Sequence, residues 1–160
     1  MDQGSGKFKK KTEKFSPREG GLEQSLLEIK RVTRVVAGGK RFRFRAVVVV
    51  GDRKGRVGVG SAKGADVSGA VDKAAEKAKK KLIFVKIIKG TIPHEIRMKY
   101  GSANIMLKPA VSGKGIIAGG AVRVVCSLAG IADVIGKILG SSNKLNNARA
   151  TIKALENFKV

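Results

Sequence analysis

The chain has 160 residues but no tryptophan, one tyrosine, one histidine and one cysteine. Each scarcity excludes something. A lone Cys126 cannot make an intrachain disulfide, so a reducing, cytoplasmic setting is expected. It sits in the apolar run Val124-Val125-Cys126, where a cysteine behaves as a small hydrophobe. The only histidine, His94, stands between Pro93 and Glu95 and leaves no triad except a remote Cys126–His94 pairing. The 12 acids are scattered, with no close carboxylate pair and no metal-ligand spacing. Catalytic residues, metal ligands and cofactors are all expected to be none. No apolar run approaches the ~20 residues that cross a bilayer, and no secretory signal pattern is found, so no membrane partner is expected. Aromatics make up 4 %, which leaves the core to Val, Ile, Leu and Ala.

Basic charge is what the chain has in excess. Lys plus Arg number 34, for a net charge of +22. Self-repulsion of that size opposes a compact state unless a polyanion compensates, and it points to nucleic acid. The length fits one domain or two small ones. Residues 1–20, MDQGSGKFKKKTEKFSPREG, are polar and aperiodic. They are expected to be a disordered basic tail, either a solvated end or a thread along phosphates.

Periodicity supplies the elements. Glu23 to Glu28 fits a short helix with Leu22, Leu26, Leu27 and Ile29 as its stripe. Strands are expected over Ile29–Val36, Lys40–Val50 and Arg56–Ser61, joined by the turns Ala37-Gly38-Gly39-Lys40 and Gly51–Gly55 into an antiparallel meander. Val67, Val71, Ala74, Ala75, Ala78 and Leu82 recur at helical spacing, so a helix over Asp66–Lys81 covers one face of that sheet. Further on, a hairpin is expected from Ile92–Lys99 and Ala103–Lys108. A glycine-rich connection follows over Pro109–Gly120. Then come a helix over Ala121–Leu128 capped by Gly130, a strand over Val134–Leu139 and a last helix over Lys144–Asn157.

The stretch 40-KRFRFRAVVVVG-51 changes character midway. Arg41, Arg43 and Arg45 share one face of a strand, while Phe42 and Phe44 share the other. From Ala46 to Val50 both faces are apolar. Same-face residues lie ~6.5–7 Å apart, so the arginines form a ladder close to phosphate spacing. Lys30, Arg31 and Arg34 come from the preceding strand, and Arg53, Lys54 and Arg56 from the following turn. Three arginines with no acid among them are unusual for a merely solvated face, which mixes signs. The phenylalanines point away from the ladder, so backbone and shape recognition of folded RNA fits better than single-strand stacking. Val47 and Val49 lie on the arginine face. That end is therefore expected to be covered by a second domain.

The loop 113-GKGIIAGG-120 precedes a helix, and a helix N-terminus attracts anions. It lacks the Walker-A ending, and close packing of the loop on another backbone is the favoured reading. A small-molecule phosphotransferase is the enzymatic alternative, and a free regulator binding generic duplex RNA is another.

Three segments, GRVGVGSAKGADVSGAVDKAAEKAKK, SGKGIIAGGAVRVV and GSSNKLNNARATIKALENF, resemble the bacterial small-subunit ribosomal protein five family from about Leu22 to Asn157. The resemblance implies an α+β fold. An N-terminal double-stranded-RNA-binding-like domain over 21–86 (helix, three-stranded antiparallel sheet, helix) is followed by a C-terminal α/β domain over 87–160 with a left-handed βαβ crossover. Gly58, Gly60, Ser61 and Lys63 match the glycine–serine–lysine pattern of double-stranded-RNA-binding domains. Asp66, however, stands where a phosphate-binding lysine is expected and is read as an N-cap. The resemblance further implies a structural constituent of the small ribosomal subunit, acting as a monomer there. The first hairpin, with Gly38, Gly39 and Lys40 at its tip, would meet small-subunit rRNA at the body–head junction beside the spectinomycin site. Gly113, Gly115 and Arg123 would meet ribosomal protein four, an interface bearing on decoding accuracy. Contacts with ribosomal protein eight and with mRNA where it enters the subunit are implied as well.

Overall fold

The computed structural model describes residues 21–158; the basic tail expected over 1–20 lies outside them. The N-terminal half holds β1 (Glu23–Val36), β2 (Gly39–Gly51), β3 (Arg56–Gly64), α1 (Val67–Lys79) and β4 (Ile83–Phe84). The strands form one antiparallel sheet in the order β1-β2-β3-β4.

The short helix expected over Glu23–Glu28 is absent. Those residues are the first part of β1, a 14-residue strand paired with β2 along its whole length. A six-residue helix is too short to hold itself. The same residues laid along Val47–Gly51 pair backbone groups of β2 that would otherwise be buried without partners. The leucines that suggested a helix are divided between the two faces. Leu22 packs with the α1 side and Leu27 with the opposite side. Strand alternation makes this division, and a β-bulge between Leu26 and Glu28 shifts the phase of the residues that follow. The sheet also gains β4, a two-residue strand not expected from the sequence.

Helix α1 lies very close to β3, and the reason is in both sequences. β3 presents Gly58, Gly60, Ala62 and Gly64 to the helix, which answers with Ala70, Ala74 and Ala78, all fully buried. A Cβ on Gly58 would stand 2.5 Å from the Ala78 carbonyl oxygen, and one on Gly64 2.7 Å from the Ala70 amide nitrogen. Asp66 occupies the N-cap position with extended backbone, as expected, but its side chain makes no capping hydrogen bond.

The C-terminal half holds β5 (Ile96–Tyr100), β6 (Ala103–Pro109), β7 (Ile116–Ile117), α2 (Gly120–Ala129), β8 (Val134–Ile138) and α3 (Lys144–Glu156). Its sheet runs β5-β6-β8-β7. β7 is parallel to β8, and α2 is the crossover between them. β7 falls within the stretch expected to be a plain connection, and the first hairpin strand starts at Ile96 rather than Ile92. Gly130 ends α2 in the left-handed region (φ 88°) as expected, and Asn143 caps α3 by accepting from the Leu145 amide at 3.1 Å.

Two hydrophobic clusters hold the chain together. The smaller is Ala46, Val48 and Val50 of β2 with Ala62 and the alanines of α1. The larger joins Val47, Val49, Val57 and Val59 to Ile92, Ile105, Leu107, Val122, Val125, Val134 and Leu155. Helices α2 and α3 touch strands of both sheets and are shared by them. The two faces of Val47–Val50 thus go to different clusters, as the loss of alternation at Ala46 predicts. Burial of each valine or leucine stabilises by roughly 1.5–3 kcal/mol.

The β2–β3 turn reinforces this junction. The Arg53 amide donates to the Leu128 carbonyl at 3.0 Å, and the Gly55 amide donates to the Ala129 carbonyl at 2.9 Å. The turn thereby satisfies carbonyls that the last turn of α2 leaves open. Gly130 must be small here, because a Cβ would run into the Arg53 carbonyl oxygen.

Candidate nucleic-acid interface

Strand register builds the basic face. Across β1 and β2, Lys30 stands opposite Arg45, Val32 opposite Arg43 and Arg34 opposite Arg41. Across β2 and β3, Lys63 stands opposite Arg45. Residues opposite one another in an antiparallel pair share a face, with Cβ atoms ~4.5–5.5 Å apart. Lys30, Arg34, Arg41, Arg43, Arg45 and Lys63 are therefore one patch on the outer part of the sheet. The same face continues inward to Val47, Val49, Val57 and Val59 beneath the second half of the chain.

The bulge decides who belongs to this patch. It shifts the phase of β1 by one residue, which puts Lys30 and Arg34 on the arginine face. Arg31 falls on the other face, opposite Phe44, and its guanidinium carbon lies 3.6 Å from the ring centre of Phe42. The expected trio Lys30, Arg31 and Arg34 is thus split.

Charge in the patch is almost uncompensated. Among the described residues, only Lys30 of the six cations has an acidic partner, Glu28 at 3.5 Å. Glu28 also meets Lys144 of α3 at 4.0 Å, so its charge is shared with the domain junction. Arg45 is half-buried, and its Nε is buried without a hydrogen-bond partner among the described residues. An unpaired buried donor carries a desolvation penalty, and clustered like charges add repulsion.

The remaining expected residues lie elsewhere. Gly38, Gly39 and Lys40 are exposed at the hairpin tip, where nothing lies within 4 Å of a Cβ at either glycine. Arg53, Lys54 and Arg56 sit past the inner end of β2, roughly 25 Å from Arg43 at ~3.3 Å per residue. Two of them are already engaged. Arg53 pairs with Glu23 at 2.8 Å and Arg56 with Asp52 at 3.8 Å. They do not form one surface with the arginine ladder.

The glycine-rich loop is anchored from below. Gly113 (φ 88°) and Gly115 (φ 71°) take left-handed conformations, and the Gly115 amide donates to Oδ1 of Asp133 at 2.7 Å. Asp133 is buried, and its carbonyl accepts from the Thr91 hydroxyl at 2.6 Å. An amide committed to a carboxylate is not offered to a phosphate, which weighs against the phosphotransferase alternative. Asp133 was missed in the sequence; its signal was a lone acid inside the run Ile131-Ala132-Asp133-Val134-Ile135. Arg123 is exposed on α2.

The Cys126–His94 pairing also fails. Cys126 is fully buried, and burial pushes its thiol up to about 12. His94 is exposed, with Nδ1 2.8 Å from the Glu95 carbonyl and its ring edge-on to Phe158. Among the described residues no cluster of His, Cys, Asp or Glu could hold a metal. No described helix is long and apolar enough to cross a membrane.

Comparison with known proteins agrees with this architecture. Residues 22–86 match the family described as ribosomal protein S5, N-terminal domain, and residues 98–160 match ribosomal protein S5, C-terminal domain. The small ribosomal subunit protein uS5c of Spinacia oleracea is 50% identical over 153 residues, which cover 95% of this chain and 49% of that protein. The chain thus spans about half the length of this curated relative. With each half matched by its own domain of one family, in the family's order, the chain belongs to the ribosomal protein S5 family.

Proposed function

We propose that the chain is a structural constituent of the small ribosomal subunit and binds folded small-subunit rRNA through the ladder face and the hairpin tip. The family is one of structural ribosomal proteins, not enzymes. One observation carries the binding site: six cations share a sheet face on which, among the described residues, Glu28 is the single acidic partner. Repulsion within that face disfavours the free protein and is relieved when phosphates lie along it. The valines beyond Arg45 are covered by the second half of the chain, so the RNA surface ends where the domain junction begins.

In the same reading the hairpin reaches the body–head junction beside the spectinomycin site. Gly113, Gly115 and Arg123 meet ribosomal protein four, and other surfaces meet protein eight and the path by which mRNA enters. Through these contacts the chain contributes to decoding accuracy, as a monomer within the cytoplasmic ribosome. The loop geometry supports the protein-four contact: Asp133 anchors the Gly115 amide, and Arg123 is exposed on the helix that follows the loop. Arg53 and Arg56 enter this reading as braces of the domain junction, and Lys54 as an outlying RNA contact.

The test is a triple substitution of Arg41, Arg43 and Arg45 by Gln. Each lost phosphate contact reduces the slope of log K against log salt by about 0.7–0.9. The variant should bind rRNA more weakly, with a slope about two to three units shallower, and should keep its fold by circular dichroism. An unchanged affinity and slope would make the ladder a solvated face. For the protein-four contact, Arg123→Glu should raise misreading in a translation assay without altering rRNA binding; unchanged misreading would remove that assignment.

A further inference from the structure

The hairpin has a second face, and it is neither basic throughout nor covered. Helix α1 shields β2 only from Phe44 inward, since its Ala70 amide meets Gly64, the partner of Phe44. At that level and beyond it, Arg31, Val35 and Phe42 lie in the open. Phe42 is 47% exposed and Val35 73%. Arg31 lies over the Phe42 ring at 3.6 Å, and among the described residues it makes no ion pair. A guanidinium laid on a ring leaves its second plane and its edge donors free, and its rotamer is already chosen.

We propose that this face, Arg31 on Phe42, is a stacking site for an unpaired base of the RNA whose backbone the ladder face holds. The proposal rests on the RNA-binding reading of the ladder. It adds a specificity that phosphate contacts cannot supply. Bases that leave a helix are recognised by stacking on aromatic rings and guanidinium planes. The charge of the surface favours RNA over a protein occupant: Arg31 and Lys40 flank Phe42 with no acid of the described strands on this outer face, and the ladder lies on the reverse of the same two strands. The hairpin can thus be held by backbone contacts on one side and a base on the other.

The experiment compares two RNA stems of equal length and charge, one perfectly paired and one with a single bulged 5-iodouridine. The wild-type chain should prefer the bulged stem by roughly tenfold and crosslink to it within the β1–β2 hairpin. Phe42→Ala should abolish the preference and the crosslink, while affinity for the paired stem and its salt slope stay unchanged. Arg31→Lys, which keeps the charge and loses the plane, should weaken the preference. Phe42→Leu keeps the apolar contact with the sheet and stands in if the alanine variant folds poorly. Equal binding of both stems by wild-type protein, or a preference that survives loss of the ring, would overturn the stacking site and leave the ladder intact. Failure to bind either stem at low salt would overturn the ladder reading and this one with it.

Discussion

Lys63 stands directly opposite Arg45 across β2 and β3, and Lys30 stands opposite Arg45 on its other side. Three cations in one cross-strand row oppose folding, since like charges facing one another in a sheet are destabilising by roughly 0.2–1 kcal/mol per pair. On the RNA-binding reading proposed above, the row is held for phosphates. Lys63→Gln should therefore raise the stability of the isolated protein by a few tenths of a kcal/mol to about 1 kcal/mol, measured by urea denaturation at low salt. The same variant should bind rRNA more weakly. A loss of both stability and affinity would contradict this account of the row.

The contact between β3 and α1 can be tested with two glycines of opposite expected behaviour. A Cβ at Gly60 would run into the Ala74 carbonyl oxygen, whereas nothing lies within 4 Å of one at Gly69 in the first turns of α1. Gly60→Ala should destabilise by roughly 1–3 kcal/mol or more, because backbone has to move. Gly69→Ala should stabilise by roughly 0.5–1 kcal/mol through helix propensity alone. Thermal melts of the two single variants give the comparison.

Asp52 makes the turn at the domain junction sensitive to acid. Burial raises its pKa, but the amides of Arg56 and Lys54, donating at 2.9 and 2.7 Å, and the Arg56 charge outweigh that and hold it below its ordinary 3.8. A carboxylate with a lowered folded-state pKa stabilises fully above its unfolded value and loses that contribution as pH falls through the folded one. Asp52→Asn should accordingly lower stability at neutral pH, with the difference vanishing well below pH 3.8. Denaturation curves of both proteins across that range test the sign.

Cys126 provides a probe of the shared core. Its thiol is fully buried and raised to about 12 by desolvation, so almost no thiolate exists at pH 8. Alkylation by iodoacetamide should be negligible in native protein and should follow global unfolding in denaturant. Rapid labelling under native conditions would show that the core opens locally around α2.

How much of this was legible beforehand depends on the distance over which each feature is decided. The alternation of Arg41 to Arg45 and its loss after Ala46 is local, and it correctly located both the basic face and the covered end of β2. Gly130 as a left-handed cap and the alanine stripe of α1 were equally local. The misread segment is Glu23–Glu28, whose leucine spacing satisfies a helix and a bulged strand alike. Nothing within those residues chooses between the two; the unpaired edge of β2, whose partners run from Gly51 for Glu23 to Val47 for Glu28, does.

The sequence by itself determined that the protein is a strongly basic chain built from small aliphatic residues, with a strand whose two ends differ in character. Charge, composition and period-two patterning are properties of residues and their near neighbours, and they survive being read in one dimension. Only the tertiary structure decided which cations act together. One extra residue in β1 rotates Lys30 and Arg34 onto the arginine face and sends Arg31 to stack on Phe42, while register brings Lys63 beside Arg45. The loop of Arg53 and Arg56 is drawn away to the end of α2 by hydrogen bonds to Leu128 and Ala129. Pairing between strands sets these associations, and a single-residue shift in pairing turns every side chain to the opposite face.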